Sequence, residues 1–211
     1  MIRSERAGTS AWLGLVHALS SVPGAYQLQQ HIAYPTTSRF RRLLKRHVQI
    51  DEGDRLLDLA CGIGTYRDVL GGDYYGVDVN PAYIEAARRN RDGQFDVMDC
   101  CDLTFPAGMF PHIVMIAATH HLDDRQVDAA ISGALRVCQD DGALHVLDAV
   151  LPETGWRRFK TGWFRLDAGR FPRRRDDLRT RLSALGTVAV EDFLAGPLHD
   201  CAYFQVRPRA R

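Results

Sequence analysis

"LLDLACGIGTY", Leu56 to Tyr66, is an apolar run that carries one aspartate and then breaks into a turn with glycines at positions 62 and 64. The run has the length and composition of a buried strand, and Gly62-x-Gly64 reads as the tight turn that leaves it. A carboxylate near the end of such a strand is expensive, several kcal/mol or more if nothing pairs with it. What compensates Asp58 is the question the rest of the chain answers.

Working outward, the pattern after residue 50 alternates strand with helix. Short apolar or β-rich runs lie at Arg55–Ala60, Tyr74–Asp78, Phe95–Asp99, Ile113–Ala117 and Ala143–Ala149. Between them, Pro81 to Asn90 predicts a helix capped by Asn80, with proline at its first position. Asp124 to Cys138 puts Val127, Ile131, Leu135 and Cys138 on one face, with acids in its first turn. Asp176 to Leu185 does the same through Leu178, Leu182 and Leu185, and Gly186 stops it. Thr187–Phe193 and Ala202–Val206, joined by a Gly-Pro loop, read as a closing hairpin. Alternating strands and helices predict an α/β fold with a doubly wound, mostly parallel sheet, to which the hairpin adds an antiparallel element. Ser38 to Val48 is the clearest helix upstream. The expected organisation is a helical cap over residues 1–50 and one compact domain over 51–211.

Composition limits the function classes. The chain has 211 residues, 45% apolar and 25% charged, with a formal net charge of +1. That balance gives no general attraction to nucleic acid or membrane, and no apolar run approaches the ~20 residues needed to span a bilayer. "AWLGLVHALSSVPGA" near the N-terminus follows Arg3 and Arg6, as an export signal would. His17 interrupts it and no small-x-small cleavage site follows, so a short amphipathic capping helix is expected instead. The five cysteines (Cys61, Cys100, Cys101, Cys138, Cys201) are an odd set without zinc spacing. Cys100 and Cys101, being adjacent, suit neither a chelate nor an ordinary disulfide. Reduced thiols, a cytoplasmic location and no metal are the expectation.

In open α/β sheets the ligand sits beyond the carboxyl ends of the strands. Three consecutive predicted strands end in acids there: Asp58, Asp78 and Asp99. A glycine turn could cradle a pyrophosphate, but a dinucleotide fingerprint would need a third glycine where Arg67 stands. Asp58 would also face a dianion, and like charges in a partly dry site are unfavourable. A cationic nucleoside reverses the sign. S-adenosylmethionine carries an ammonium and a sulfonium and no phosphate. In that reading Ala60, Gly62 and Gly64 let its methionine moiety lie against the backbone, and Asp58 meets the positive end. Asp78 accepts both ribose hydroxyls. Asp99 accepts from the adenine amino group, with Val79 and Met98 against the ring.

With "YYGVDVNPAYIEAARR", "FDVMDCCDLTFP" and "AATHHLDD", the opening stretch resembles the ordered motifs of class I S-adenosylmethionine-dependent methyltransferases over about residues 53–150. The resemblance implies a Rossmann-like sheet of seven strands, order 3-2-1-4-5-7-6, with the seventh antiparallel. It matches Asp58, Gly62 and Gly64 to the family's first motif, Asp78 to the acid of the second, and Asp99 to the acid before its Leu-Pro-Phe-like element. The chain departs where Phe110-Pro111-His112 replaces the usual Phe-Asp before the fourth strand.

A methyl on a sulfonium is already activated, so alignment can supply much of the acceleration. A base is needed only where the acceptor must lose a proton early, and His120, just past the fourth strand, is the candidate, with His121 beside it. "AATHHL" lacks the Asn-Pro-Pro-Tyr type sequence of nucleobase and amide methylation. Gly155 to Arg181 holds ten basic residues against three aspartates, and Arg39 to Arg46 five basics and no acid. These read as solvated faces or as a groove for an anionic acceptor, with arginines at 173 to 175 able to hold phosphate or carboxylate. Trp156, Phe159, Trp163, Phe164 and Phe171 could pack as a cap. The expected activity is O-methylation of a small glycan-linked, phosphorylated or natural-product acceptor, with oligomeric state open. The rivals are a nicotinamide-dependent dehydrogenase and a non-catalytic partner subunit that only binds the cofactor.

Overall fold

The computed structural model describes residues 34–152, 170–196 and 200–209. The predicted capping helix near the N-terminus, and the aromatic residues from Trp156 to Phe164, lie outside these residues. The described chain opens with α1 (Tyr34–His47), followed by β1 (Arg55–Leu59), β2 (Asp73–Asp78), α2 (Pro81–Asn90) and β3 (Gln94–Val97). Then come β4 (Phe110–Ile116), α3 (Asp124–Val137), β5 (Cys138–Val150), α4 (Arg175–Leu185), β6 (Thr187–Leu194) and β7 (Asp200–Arg207). They form one seven-stranded sheet of order β3-β2-β1-β4-β5-β7-β6. The first five strands pair in parallel, and β7 runs antiparallel between β5 and β6. The sheet expected from the sequence is the sheet observed.

Side chains on successive strand residues point to opposite faces, and the two faces bury different clusters. Leu57 and Leu59 join Ile113, Met115, Leu144, Val146 and Phe204 beneath α3 and α4, which contribute Val127, Ile131, Leu178 and Leu182. Leu56 joins Val114, Ile116, Leu147 and Tyr203 on the other face, beneath Phe40, Leu43 and Leu44 of α1 and Ile84 of α2. α1 is thus part of the core layer itself.

The helix ends follow their chemistry. Asn80 caps α2 by accepting the Ala82 N–H, with Pro81 at the first position. Asp123 and Gln126 form a reciprocal capping box on α3. Several boundaries shift from expectation, two of them for reasons that bear on the site. Cys138 leaves α3 and begins β5, paired with Phe110 before a register irregularity. β3 stops at Val97, because the Asp99 side chain takes the Cys101 N–H at 2.8 Å and its carbonyl takes the Asp102 N–H. That tight turn pulls Asp99 off the sheet edge. Among the described residues no helix is long and apolar enough to cross a membrane.

Candidate active site

The carboxyl ends of β1, β2 and β4 converge, and the backbone there is unusual. Ala60 follows β1 with φ of 56° and Ala117 follows β4 with φ of 54°, the two non-glycine residues with positive φ among the described residues. Such conformations cost alanine on the order of 1 kcal/mol or more and cluster where a site needs a special chain path. Gly62 and Gly64 also have positive φ, 57° and 70°. At Gly64 a Cβ would lie 2.9 Å from Arg91 Cγ, so both conformation and space demand glycine.

Asp58 shares the face of Leu56, and it is almost wholly buried. Its Oδ2 accepts the Tyr74 hydroxyl at 2.5 Å. Burial, reinforced by Asp78 and opposed by the Tyr74 bond, pushes its carboxyl up to about 7. The strand acid therefore has a partner inside the chain, a neutral hydroxyl on β2. The sequence reading named only a bound cation for this acid and did not anticipate the hydroxyl. The pairing relieves only part of the burial cost, since the carboxyl stays raised and would ionise readily beside a positive charge.

Asp78 closes β2 and reaches back to the glycine turn: its Oδ2 accepts the Gly62 N–H at 3.0 Å and its Oδ1 the Asn80 N–H at 2.8 Å. Burial raises its carboxyl against the pull of these two donors. Each carboxylate oxygen accepts more than one donor, so the bracing leaves acceptor capacity. Next to it Val79 is 69% exposed, and Val97, across at the end of β3, is 50% exposed. Two open apolar side chains flanking a buried acid make the rim suited to a flat heterocycle. Met98 is half-buried and Asp99 exposed beside them. A donor atom from each of Asp99, Cys100 and Cys101 lies within 4.8 Å of the others, closer than the adjacency of the cysteines suggested. Burial and Asp99 push the Cys101 thiol up to about 11, and Cys100 is raised as well, so both stay protonated thiols.

The predicted base sits on a single 3-10 turn, Thr119–His121, directly after β4. His120 is buried, and its Nδ1 lies 2.6 Å from Oδ1 of Asp148 near the end of β5. Asp148 was not among the predicted site residues. Its signal was in plain view: one acid inside the apolar run "ALHVLDAVL", the same pattern that singled out Asp58. The His121 ring packs 4.1 Å from that of His120, centroid to centroid.

Two of the three arginines expected to bind an anion, Arg173 and Arg175, are engaged within the chain. Arg173 donates to the carbonyls of Thr119 at 2.6 Å and Leu122 at 2.8 Å, and pairs with Asp124 at 2.7 Å. Arg175 lies over the Phe193 ring and 3.5 Å from Glu191. Arg170 and Arg174 are exposed. Phe171 donates its N–H to the His120 carbonyl, so this segment clasps the turn that carries His120. An open depression lined by Asp123, Asp124, Phe171 and Arg173 adjoins it.

Residues 56–142 match the model of the methyltransferase domain family. Over 118 residues the chain is 30% identical to an uncharacterized methyltransferase of Synechocystis sp., which covers 54% of this chain and 56% of that protein. It is 32% identical over 104 residues to the 2-methyl-6-phytyl-1,4-hydroquinone methyltransferase of Synechocystis sp., 46% of this chain and 32% of that one. The chain thus spans about half the length, or less, of these curated relatives. Among solved structures, a chain from the complex between the Haloferax volcanii Trm112 methyltransferase activator and its methyltransferase superposes with a TM-score of 0.69. It is 17% identical and covers 99% of this chain and 100% of that one. Fold, motifs and relatives agree: residues 56–142 match a methyltransferase domain, and the seven-stranded sheet around them has the order that the resemblance to class I S-adenosylmethionine-dependent methyltransferases implies. The nicotinamide-dependent reading is set aside.

Proposed function

We propose that this protein binds S-adenosylmethionine at the carboxyl ends of β1 to β3 and methylates a hydroxyl of a small molecule. The observation that carries the cofactor reading is Asp78 braced on the Gly62 N–H between the open side chains of Val79 and Val97. A nucleoside needs that combination: an acid for the ribose hydroxyls and an apolar slot for the base. Asp58, held raised by burial, gains by ionising next to a cation, which suits an ammonium and a sulfonium and opposes a pyrophosphate. Asp99 and Met98 complete the adenine end, and Ala60, Gly62 and Gly64 the methionine end. When bound, the cofactor supplies an electrophilic methyl group.

His120 stands past β4, where an acceptor would meet that methyl, and it takes the acceptor's proton. The depression beside the His120 turn offers room for a small acceptor. Exposed Arg170 and Arg174 would favour one carrying phosphate or carboxylate. The five free cysteines support a reducing compartment.

Titration calorimetry with S-adenosylmethionine, its demethylated product and NAD tests the cofactor reading. Binding of the first two, weakened at least about tenfold by Asp78→Ala, is expected, since the substitution removes the paired ribose acceptor. NAD binding alone, or an Asp78→Ala variant with full affinity, sinks it.

A further inference from the structure

Asp148 is surrounded as a carboxylate acceptor would be. It is 1% exposed, yet four donors converge on its two oxygens. Oδ1 takes the Ala149 N–H at 2.7 Å and faces His120 Nδ1 at 2.6 Å. Oδ2 takes the His120 backbone N–H at 3.2 Å and the Thr119 hydroxyl. His120, Thr119 and His121 together hold its carboxyl below the usual carboxylate range, overriding burial. A buried charge is tolerated when fully hydrogen-bonded, but an apolar residue on β5 would fill the same space at less risk. The arrangement makes sense for what it does to the imidazole.

We propose that Asp148 is the positioning residue that makes His120 a base, which suits the hydroxyl acceptor of the reading above, one that loses its proton during transfer. This rests on the reading of His120 given above. An ionised carboxylate facing Nδ1 fixes the neutral ring with its proton on Nδ1, so the basic lone pair is on Nε2. The acceptor O–H proton passes to Nε2 as the O–C bond forms and the sulfur–methyl bond breaks with its electrons left on sulfur. The resulting imidazolium is balanced by the Asp148 charge, and the proton is later lost to water. The backbone locks the pair in place. Ala117 N–H donates to the Leu147 carbonyl at 2.8 Å, joining the β4 exit to β5 one residue before Asp148, and Arg173 holds the Thr119 and Leu122 carbonyls. A neutral amine acceptor needs no such device, because its lone pair is already available.

Nitrogen NMR of the wild-type imidazoles reads the tautomer directly, without cofactor or turnover. His120 protonated at Nδ1 is expected, and the Nε2–H tautomer overturns the proposal. In Asp148→Asn, kcat should fall about a hundredfold or more while affinity for the demethylated cofactor stays within about threefold. The rise of kcat with pH should also move to a different midpoint. An unchanged kcat, or a loss confined to KM, overturns the assignment. Should Asp148→Asn not fold, the wild-type tautomer still decides. Failure of wild-type protein to bind the demethylated cofactor would sink the methyltransferase reading and leave the tautomer result standing.

Discussion

The Tyr74 hydroxyl donates to Asp58 Oδ2 at 2.5 Å across the β1–β2 pair, inside the face covered by α1 and α2. A phenol lessens the cost of a buried carboxylate without cancelling it, and the carboxyl rests at about 7.

That raised value makes Asp58 a liability in the protein without ligand. In the unfolded chain the group ionises near 3.8. Between roughly pH 4 and 7 the native state holds a proton that the unfolded state has lost, so stability contributed here falls as pH rises through that window. Asp58→Asn keeps an oxygen for Tyr74 and should stabilise the protein, by on the order of 4 kcal/mol at pH 8 and well under half of that at pH 5. The same variant should bind S-adenosylmethionine more weakly. Denaturant melts at the two pH values and a calorimetric titration check this; equal gains at both pH values would contradict it.

His145 has the opposite dependence. It is buried between His112 and Tyr203, with Nδ1 2.8 Å from the Tyr203 hydroxyl. Burial, then His112 and His47, lower its pKa to about 3. The unfolded imidazole takes a proton below about 6.5, so folding is penalised increasingly as pH falls from there toward 3, and not at all above it. At pH 4.5 the penalty is about 2.7 kcal/mol. His145→Gln should remove it, so that wild type loses this much more stability than the variant between pH 7.5 and 4.5. Parallel losses in the two proteins would refute the account.

Arg173 should behave as a clasp. Arg173→Ala frees the carbonyls of Thr119 and Leu122 and leaves Asp124 without one of its two arginines. We expect a loss of about 2 kcal/mol and faster hydrogen exchange at the His121 and Leu122 amides, which close the 3-10 turn. Arg174→Ala should change neither. Intact protection in Arg173→Ala would show that the turn stands without it.

These residues show what periodicity conveys and what it hides. Leu56 to Leu59, Ile113 to Ile116 and Leu144 to Leu147 announce buried parallel strands because both faces are covered, so the apolar runs are nearly continuous. The acids at the carboxyl ends follow from the same runs. Pairings across the sheet do not. Nothing in the sequence sets Tyr74 beside Asp58, sixteen positions away, or Asp148 beside His120, because both depend on register. Arg173 was hidden for a related reason: charge composition cannot tell a guanidinium facing an incoming anion from one spent on carbonyls of its own chain. The positive φ of Ala60 and Ala117 was equally silent, since alanine gives no warning of a left-handed turn.

β7 lies between β5 and β6, although β6 precedes it in the chain. Until β7 is in place β6 has no neighbour among the described strands and one edge of β5 stays open, so a nascent polypeptide exposes both while β7 is still being translated. Exposed edges of that kind invite pairing with other molecules. A chaperone, or a pause in synthesis at that stage, would find its natural point of action there.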